Sequence, residues 1–436
     1  MSDRPNVLVV LTDQQRWDTV GAYGNPMDLT PNLDAAAERG TRVEQAITPQ
    51  PVCGPARACL QTGRHGTEHG VFTNGRVPDF ETEALLAEQF ADAGYDTGYV
   101  GKWHLANARL DPVSADKRAG YDFWRAAGAL EWTSHPYEGT LYDEDDDPVE
   151  FDGYRVDAVT DHAEEFIRQD RDDPFFCILS ILEPHHQNDM DTYVAPDGYA
   201  HRYRDPWVPE DLQGRPGDWY EELPDYYGIC RRIDECYGRL QRVLEEEGIA
   251  DDTIVVFTSD HGSHFKTRNP EYKRSCHEAS VRVPLVLDGP GFEGGNVVED
   301  PVSLLDLPPT LLDAADIDPP ASMTGDPLGP VVAGDSEGRD AVFVQISEHE
   351  VGRAIRTDRW KYAVFDPEAD HGDDPAGETY VERYLYDLDS DPHEQVNLVG
   401  RRDYADVAAR LRTRLLDRIE AVEGERPTVE AADYYA

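Results

Sequence analysis

The chain has 436 residues, 39% of them hydrophobic, and its 40 basic against 88 acidic side chains give a formal net charge of −48 at pH 7. Such an acid excess excludes nucleic acid as a natural partner, because phosphate binding needs clustered positive charge. No segment approaches the roughly 18 consecutive apolar residues of a membrane-spanning helix, so no membrane partner is expected. Residues 6–11, 97–100, 175–182 and 253–258 are short runs of mainly apolar residues, the pattern of parallel strands covered on both faces. Helical periodicity lies between them, at 31–39 before Gly40, at 83–93 before Gly94, at 155–168, and at 226–247 before Gly248. This alternation predicts an α/β fold. In open parallel sheets ligands sit outside the carboxyl ends of the strands, where Asp13, Lys102, His185, Asp260 and His261 fall.

The Pro- and Gly-rich stretch 318–338 reads as a linker. Beyond it, 341–346, 353–356, 360–365 and 384–388 are predicted as short antiparallel strands and 404–422 as a helix, a small α+β subdomain. The division expected is 1–335 for the main domain and 336–436 for the second unit. The acidic tract 143–147 reads as a solvated loop. Met1-Ser2-Asp3-Arg4-Pro5 runs directly into the first strand without a signal-peptide pattern, and a cytoplasmic location is expected. The six cysteines are too few and too scattered for a disulfide framework.

Only five of the basic residues are lysine: Lys102, Lys117, Lys266, Lys273 and Lys361. Acid excess with lysine scarcity is similar to proteins of extreme halophiles. A chain of this mass exposes about 17,000 Å², hence about 350 Å² per net charge. The Debye length is about 30 Å at 0.01 M salt and about 3 Å at 1 M, so self-repulsion is strong only in dilute buffer. A salt-adapted cytoplasm is the expected setting.

The most specific motif is Cys53-Gly54-Pro55-Ala56-Arg57, a Cys-x-Pro-x-Arg pattern. Cys53 stands just before a helix start expected at Pro55, where unpaired backbone N–H groups favour an anion. A second motif is Gly94-Tyr95-Asp96-Thr97-Gly98-Tyr99-Val100-Gly101-Lys102-Trp103-His104. With Thr12-Asp13-Gln14-Gln15 before them, Ser259-Asp260-His261-Gly262 after them, and Leu385-Tyr386-Asp387-Leu388 near the end, the chain resembles the type I sulfatases over most of its length. The resemblance implies the alkaline-phosphatase-like α/β/α sandwich with a mostly parallel sheet. It also implies a sulfate-ester hydrolase in which a separate formylglycine-generating enzyme oxidises Cys53 to formylglycine.

The resemblance further implies a cation, Ca²⁺ or else Mg²⁺, held by Asp13, Gln14, Cys53, Asp260 and His261; an oxygen-rich set suits such a hard ion. Gln14 stands where the family often has Asp, and His261 where it often has Asn. The catalytic set carried over is Cys53, Arg57, Lys102, His104, His185, Lys273 and Asp260. In a chain that avoids lysine, Lys102 and Lys273 occupy the family's sulfate-gripping positions, where a compact charge able to pass a proton suits better than arginine. Lys117, Lys266 and Lys361 read as surface residues. His65 and His69, four apart without further ligands, make a poor metal site and read as structure or substrate contact. The substrate expected is a small-molecule or saccharide sulfate ester, selected by 105–154. A phosphonate monoester or phosphodiester hydrolase with the same centre is the nearest alternative; a catalytically silent binding protein would follow if Cys53 stayed unoxidised.

Overall fold

Five parallel strands form the centre of the computed structural model, which describes residues 4–433 and 435; Met1, Ser2 and Asp3 of the N-terminal reading lie outside them. The strands are β1 (Asn6–Thr12), β2 (Asp96–Lys102), β3 (Phe123–Ala127), β4 (Phe175–Ser180) and β5 (Thr253–Ser259). Their spatial order is β5-β1-β4-β2-β3. Register is continuous: Thr12 lies opposite Ser259, Leu11 opposite Ser180, and Gly101 also opposite Ser180. Antiparallel strands close both flanks, Leu285–Asp288 beside β5 and Glu138–Tyr142 beside β3.

Both faces of the sheet are buried, which is why its strands read as continuous apolar runs. Leu8 and Val10 of β1 pack with helices Pro31–Arg39, Arg155–Ile167 and Trp219–Glu246, while Val7, Val9 and Leu11 pack with Cys53–Thr62, Leu86–Asp92 and Leu307–Ala314. The long helix starts at Trp219 rather than at the expected residue 226 and carries Pro224 inside it, where the missing N–H leaves the carbonyl of Tyr220 without its helical donor. The third strand was not expected; Phe-Trp-Arg-Ala-Ala carries no β-branched run.

The stretch read as a linker is a packed strap: Thr324 N donates to Gly63 O at 2.9 Å, Met323 is buried against the same turn, and Gly329–Val332 is helical. The second sheet follows, with strands Ala341–Ile346, Val351–Thr357, Trp360–Asp366 and Thr379–Asp387 antiparallel and the short Thr428–Glu430 parallel to its neighbour. Helix Ala405–Glu423 covers it through Leu411, Leu415 and Ile419. The acidic tract is the turn between Glu138–Tyr142 and Pro148–Asp152, and two of its acids are paired, Asp146 with Arg118 and Glu144 with Arg125.

Lys361 corrects the surface reading. It is 1% exposed and bridges the two units, its Nζ 2.6 Å from Glu278 and 2.8 Å from Glu394, with Arg356 3.2 Å from Glu278. Two distant glutamates bury it, a context no local pattern encodes. Lys117 and Lys266 are partly buried. His65 and His69 are buried inside the fold, His65 edge-on to Phe343 and His69 accepting from Val71 N at 3.1 Å.

Removing one partner from a buried ion pair leaves an uncompensated charge and costs about 3–5 kcal/mol. Lys361→Met is therefore expected to lower unfolding free energy by that amount in urea titrations. A loss below about 1 kcal/mol would show that Glu278 and Glu394 are effectively solvated.

Candidate active site

Asp13 follows β1, Lys102 ends β2 and Asp260 follows β5, so the parallel sheet brings three distant segments to one edge. Backbone bonds extend this alignment past the strand ends: Asp260 N donates to Thr12 O at 3.1 Å and Asp13 N to Glu183 O at 3.3 Å. Helix α1 (Cys53–Thr62) begins at Cys53 itself, two residues earlier than expected, and ends at Gly63 in the left-handed conformation. Cys53 thus occupies the first turn, where backbone N–H groups lack helical partners and favour negative charge.

The charged groups interlock. Asp13 Oδ2 accepts from Lys102 Nζ at 2.8 Å and from Arg57 Nη2 at 3.2 Å. Arg57 Nη1 donates to Lys102 O at 2.9 Å and to Ser180 Oγ at 2.6 Å, so the helix is tied to two strand ends. Arg57 Nε lies 3.2 Å from Asp260 Oδ2, an ion pair too poorly aligned for a hydrogen bond. Lys273 Nζ is 2.8 Å from Cys53 Sγ, His261 Nε2 3.2 Å and Asp13 Oδ1 3.4 Å. Asp13, Cys53, Arg57, Lys102, Asp260, His261 and Lys273 therefore meet, all of them buried.

Electrostatics follow from these contacts. Burial opposes ionisation of the Cys53 thiol, yet Lys102, Lys273 and His261 outweigh it and hold it well below the ordinary thiol range. Burial would likewise raise Asp13, with Cys53 adding to it, but Lys102, His185 and Lys273 hold the carboxyl below its usual value. Asp260 is raised, by burial first and then by the neighbouring Asp13. Two carboxyls sharing one buried site in this way suit a cation between them.

Asp13, Cys53, Asp260 and His261 place ligand-type atoms within 4.8 Å of one another. The donor chemistry fits a cation. His261 Nδ1 faces Gly262 O at 3.0 Å and can donate to it, so Nε2 is the ring atom turned toward Asp13 and Asp260. Gln14 adopts a left-handed backbone at φ 70°, its N–H donating to Asp260 Oδ1 at 3.1 Å and its Nε2 to Tyr193 Oη at 2.7 Å. Gln14 Oε1 is left buried without a hydrogen-bond partner among the described residues. Strain of that kind at a polar residue belongs to functional sites.

His185 lies beside this cluster, its Nδ1 2.7 Å from His186 O, so that Nε2 is its free atom. His104 is also left-handed, at φ 61°, and its backbone N–H donates to Gly128 O at 2.8 Å.

Sequence reasoning missed two carboxylates. Glu131, on α2 (Leu130–Thr133) after β3, lies 3.3 Å from Lys102 Nζ and 3.8 Å from His104 Nε2. Burial alone would raise it, but Lys102, His104 and His185 hold it down at about 2. Glu348 comes from the second unit and bonds Arg274 Nη2 at 2.6 Å as well as Asn74 N. Asn74 Oδ1 in turn accepts from Gly54 N at 3.0 Å, beside Cys53. Only recognition of β3 could have flagged Glu131; nothing local marks Glu348.

The sulfatase family model matches residues 5–317, and that of the N-sulphoglucosamine sulphohydrolase C-terminal region matches 271–421. The ulvan-active sulfatase of Formosa agariphila is 32% identical over 457 residues, covering 99% of this chain and 84% of that protein. The N-acetylglucosamine-6-O-sulfatase of Bacteroides thetaiotaomicron is 26% identical, covering 92% of this chain and 84% of that protein. A solved structure in complex with its substrate D-glucosamine-2-N,6-O-disulfate shares the fold, with a TM-score of 0.80, 22% identity and coverage of 98% of this chain and 99% of that one. The chain belongs to the sulfatase family of the alkaline-phosphatase superfamily and is a sulfuric ester hydrolase.

Proposed function

We propose that the chain hydrolyses a sulfate monoester of a saccharide, using formylglycine at position 53 and one divalent cation, Ca²⁺ or else Mg²⁺. The observation that carries this reading is the meeting of Cys53 with Arg57, Lys102 and Lys273 on one side and the oxygen-rich set Asp13, Gln14, Asp260 and His261 on the other. The relatives named for ulvan and N-acetylglucosamine sulfate support a saccharide substrate. Trp132, exposed directly after Glu131 and stacked on one face by Arg109 at 3.6 Å, is the candidate aromatic contact for a saccharide.

When bound, the cation supplies positive charge to the sulfate oxygens, and formylglycine supplies in its hydrate both an oxygen nucleophile and the second hydroxyl that releases sulfate. The chain's own groups do the rest. Lys102 and Lys273 hold sulfate oxygens in a dry pocket, where fixed charges act more strongly than in water. Arg57 anchors Asp13 and Asp260 and so fixes the ligand set. Asp260 takes the nucleophile's proton at Oδ2, which faces Arg57 Nε at 3.2 Å and has no hydrogen bond among the described residues. His185, with Nδ1 committed to His186 O, donates a proton from Nε2 to the departing alcohol oxygen.

Peptide mass spectrometry of the native enzyme is expected to find position 53 as the aldehyde, and Cys53→Ala to reduce kcat/KM by roughly 10³-fold or more. Fully active protein carrying only the thiol would overturn the mechanism. Phosphonate or phosphodiester turnover exceeding sulfate turnover would favour the alternative substrate class.

Removal of the cation with a chelator should abolish activity and lower the Tm, and Ca²⁺ at about 100 times its Kd should return about 2.7 kcal/mol of stability. Elemental analysis showing two stoichiometric zinc ions would contradict the single hard-cation site.

We also infer a cytoplasmic setting at high salt. The six cysteines are all free and buried, which suits a reducing compartment, and the 16,596 Å² surface carries the net charge of −48. Tm is expected to rise from dilute buffer to molar KCl; a flat or falling Tm would count against salt adaptation.

A further inference from the structure

Glu131 is a carboxylate beyond those that already pair Lys102 and Arg57. Lys102 is already bonded by Asp13 at 2.8 Å, and Arg57 already serves both Asp13 and Asp260. Yet Glu131 is 6% exposed, with Oε1 3.3 Å from Lys102 Nζ, and its Oε2 is buried without a hydrogen-bond partner among the described residues. Its position is not accidental. Trp103 N donates to Ala127 O at 3.0 Å and His104 N to Gly128 O at 2.8 Å, so the backbone of the Lys102–His104 segment is fastened to the turn that carries Glu131. Buried Leu130 anchors the same turn.

Any anion gripped by Lys102 must share that ammonium with Glu131. Arg57, Lys102, Lys273 and the cation of the proposed function together outweigh Asp13, Asp260 and Glu131, so the pocket still attracts anions, and Glu131 trims that attraction for each added negative charge. A sulfate monoester carries one negative charge, whereas a phosphate monoester carries close to two at pH 7.

We propose that Glu131 is a specificity-determining residue, a fixed charge that shifts the pocket's preference toward monoanionic and away from dianionic esters. This deepens the sulfate-ester reading and rests on it. The same repulsion acts on the inorganic sulfate product, which leaves as a dianion, so Glu131 also speeds product release. For an anion about 5 Å away in a partly solvated pocket, one additional charge changes affinity by roughly ten- to a few hundredfold.

The test is kcat/KM for 4-nitrophenyl sulfate and 4-nitrophenyl phosphate, measured side by side at pH 7.5 in wild type, Glu131→Gln and Glu131→Asp. Wild-type turnover of the sulfate tests the underlying reading; the ratio of the two tests the filter. Glu131→Gln should raise the phosphate-to-sulfate ratio by roughly tenfold or more and tighten inhibition by inorganic sulfate by a similar factor. Glu131→Asp, which keeps the charge, should leave the ratio within about threefold. A ratio unchanged in Glu131→Gln, whether both activities survive or fall together, would reduce Glu131 to a support for Lys102 and overturn the proposal.

Discussion

Asp13 has no contact with solvent, and one of its oxygens is bound by both Lys102 and Arg57. Each of those cations is itself buried, so none of the three could be housed alone. The sheet order makes the meeting possible. β1 lies between β5, which delivers Asp260, and β4, whose Ser180 relays Arg57 to the end of β2. The close approach of β2 to β4 requires Gly101: at φ 103°, a Cβ there would stand 2.0 Å from Ser180 O. The local chain geometry and the charge cluster are thus two sides of one constraint.

What the sequence made legible was the part built from continuous runs. Asp13, Lys102 and Asp260 end or follow strands whose Val, Ile and Leu residues are buried on both faces, so their shared edge could be inferred from pattern alone. Cys53 and Arg57 were legible through the Cys-x-Pro-x-Arg motif, although the helix was expected only from Pro55; its start at Cys53 sets the two on one side, four residues apart. Glu131 was not, since β3 lacks the apolar continuity that betrays a central strand. Lys361 was misread for the opposite reason: its neighbours Glu278 and Glu394 come from segments far apart in the chain, and its burial is a property of tertiary structure only. The strap between the units looked like a linker because Gly and Pro erase periodicity, although Met323 and Thr324 pin it to the turn after α1.

The second unit supports the candidate active site from outside it. Glu348 holds Arg274, the neighbour of Lys273, and through Asn74 it supports Gly54, the neighbour of Cys53. The buried Lys361 bridge joins the units, and Glu348 ties the second of them to the neighbours of Lys273 and Cys53. The His277 ring contributes to the same seam, 3.2 Å from Tyr386 Oη, where an exposed aromatic contact would be less directional.

Lysine use in this chain has a consequence for its chemistry in solution. Lys102, Lys273 and Lys361 are buried, which leaves Lys117 and Lys266, themselves partly covered, as the lysine amines within reach of solvent. Reactions that attack surface amines, such as glycation by reducing sugars or acylation by activated esters, find almost no side-chain target. Coupling through side-chain amines to a solid support would hold the protein by Lys117 or Lys266, both outside the charge cluster, and leave Lys102 and Lys273 unmodified.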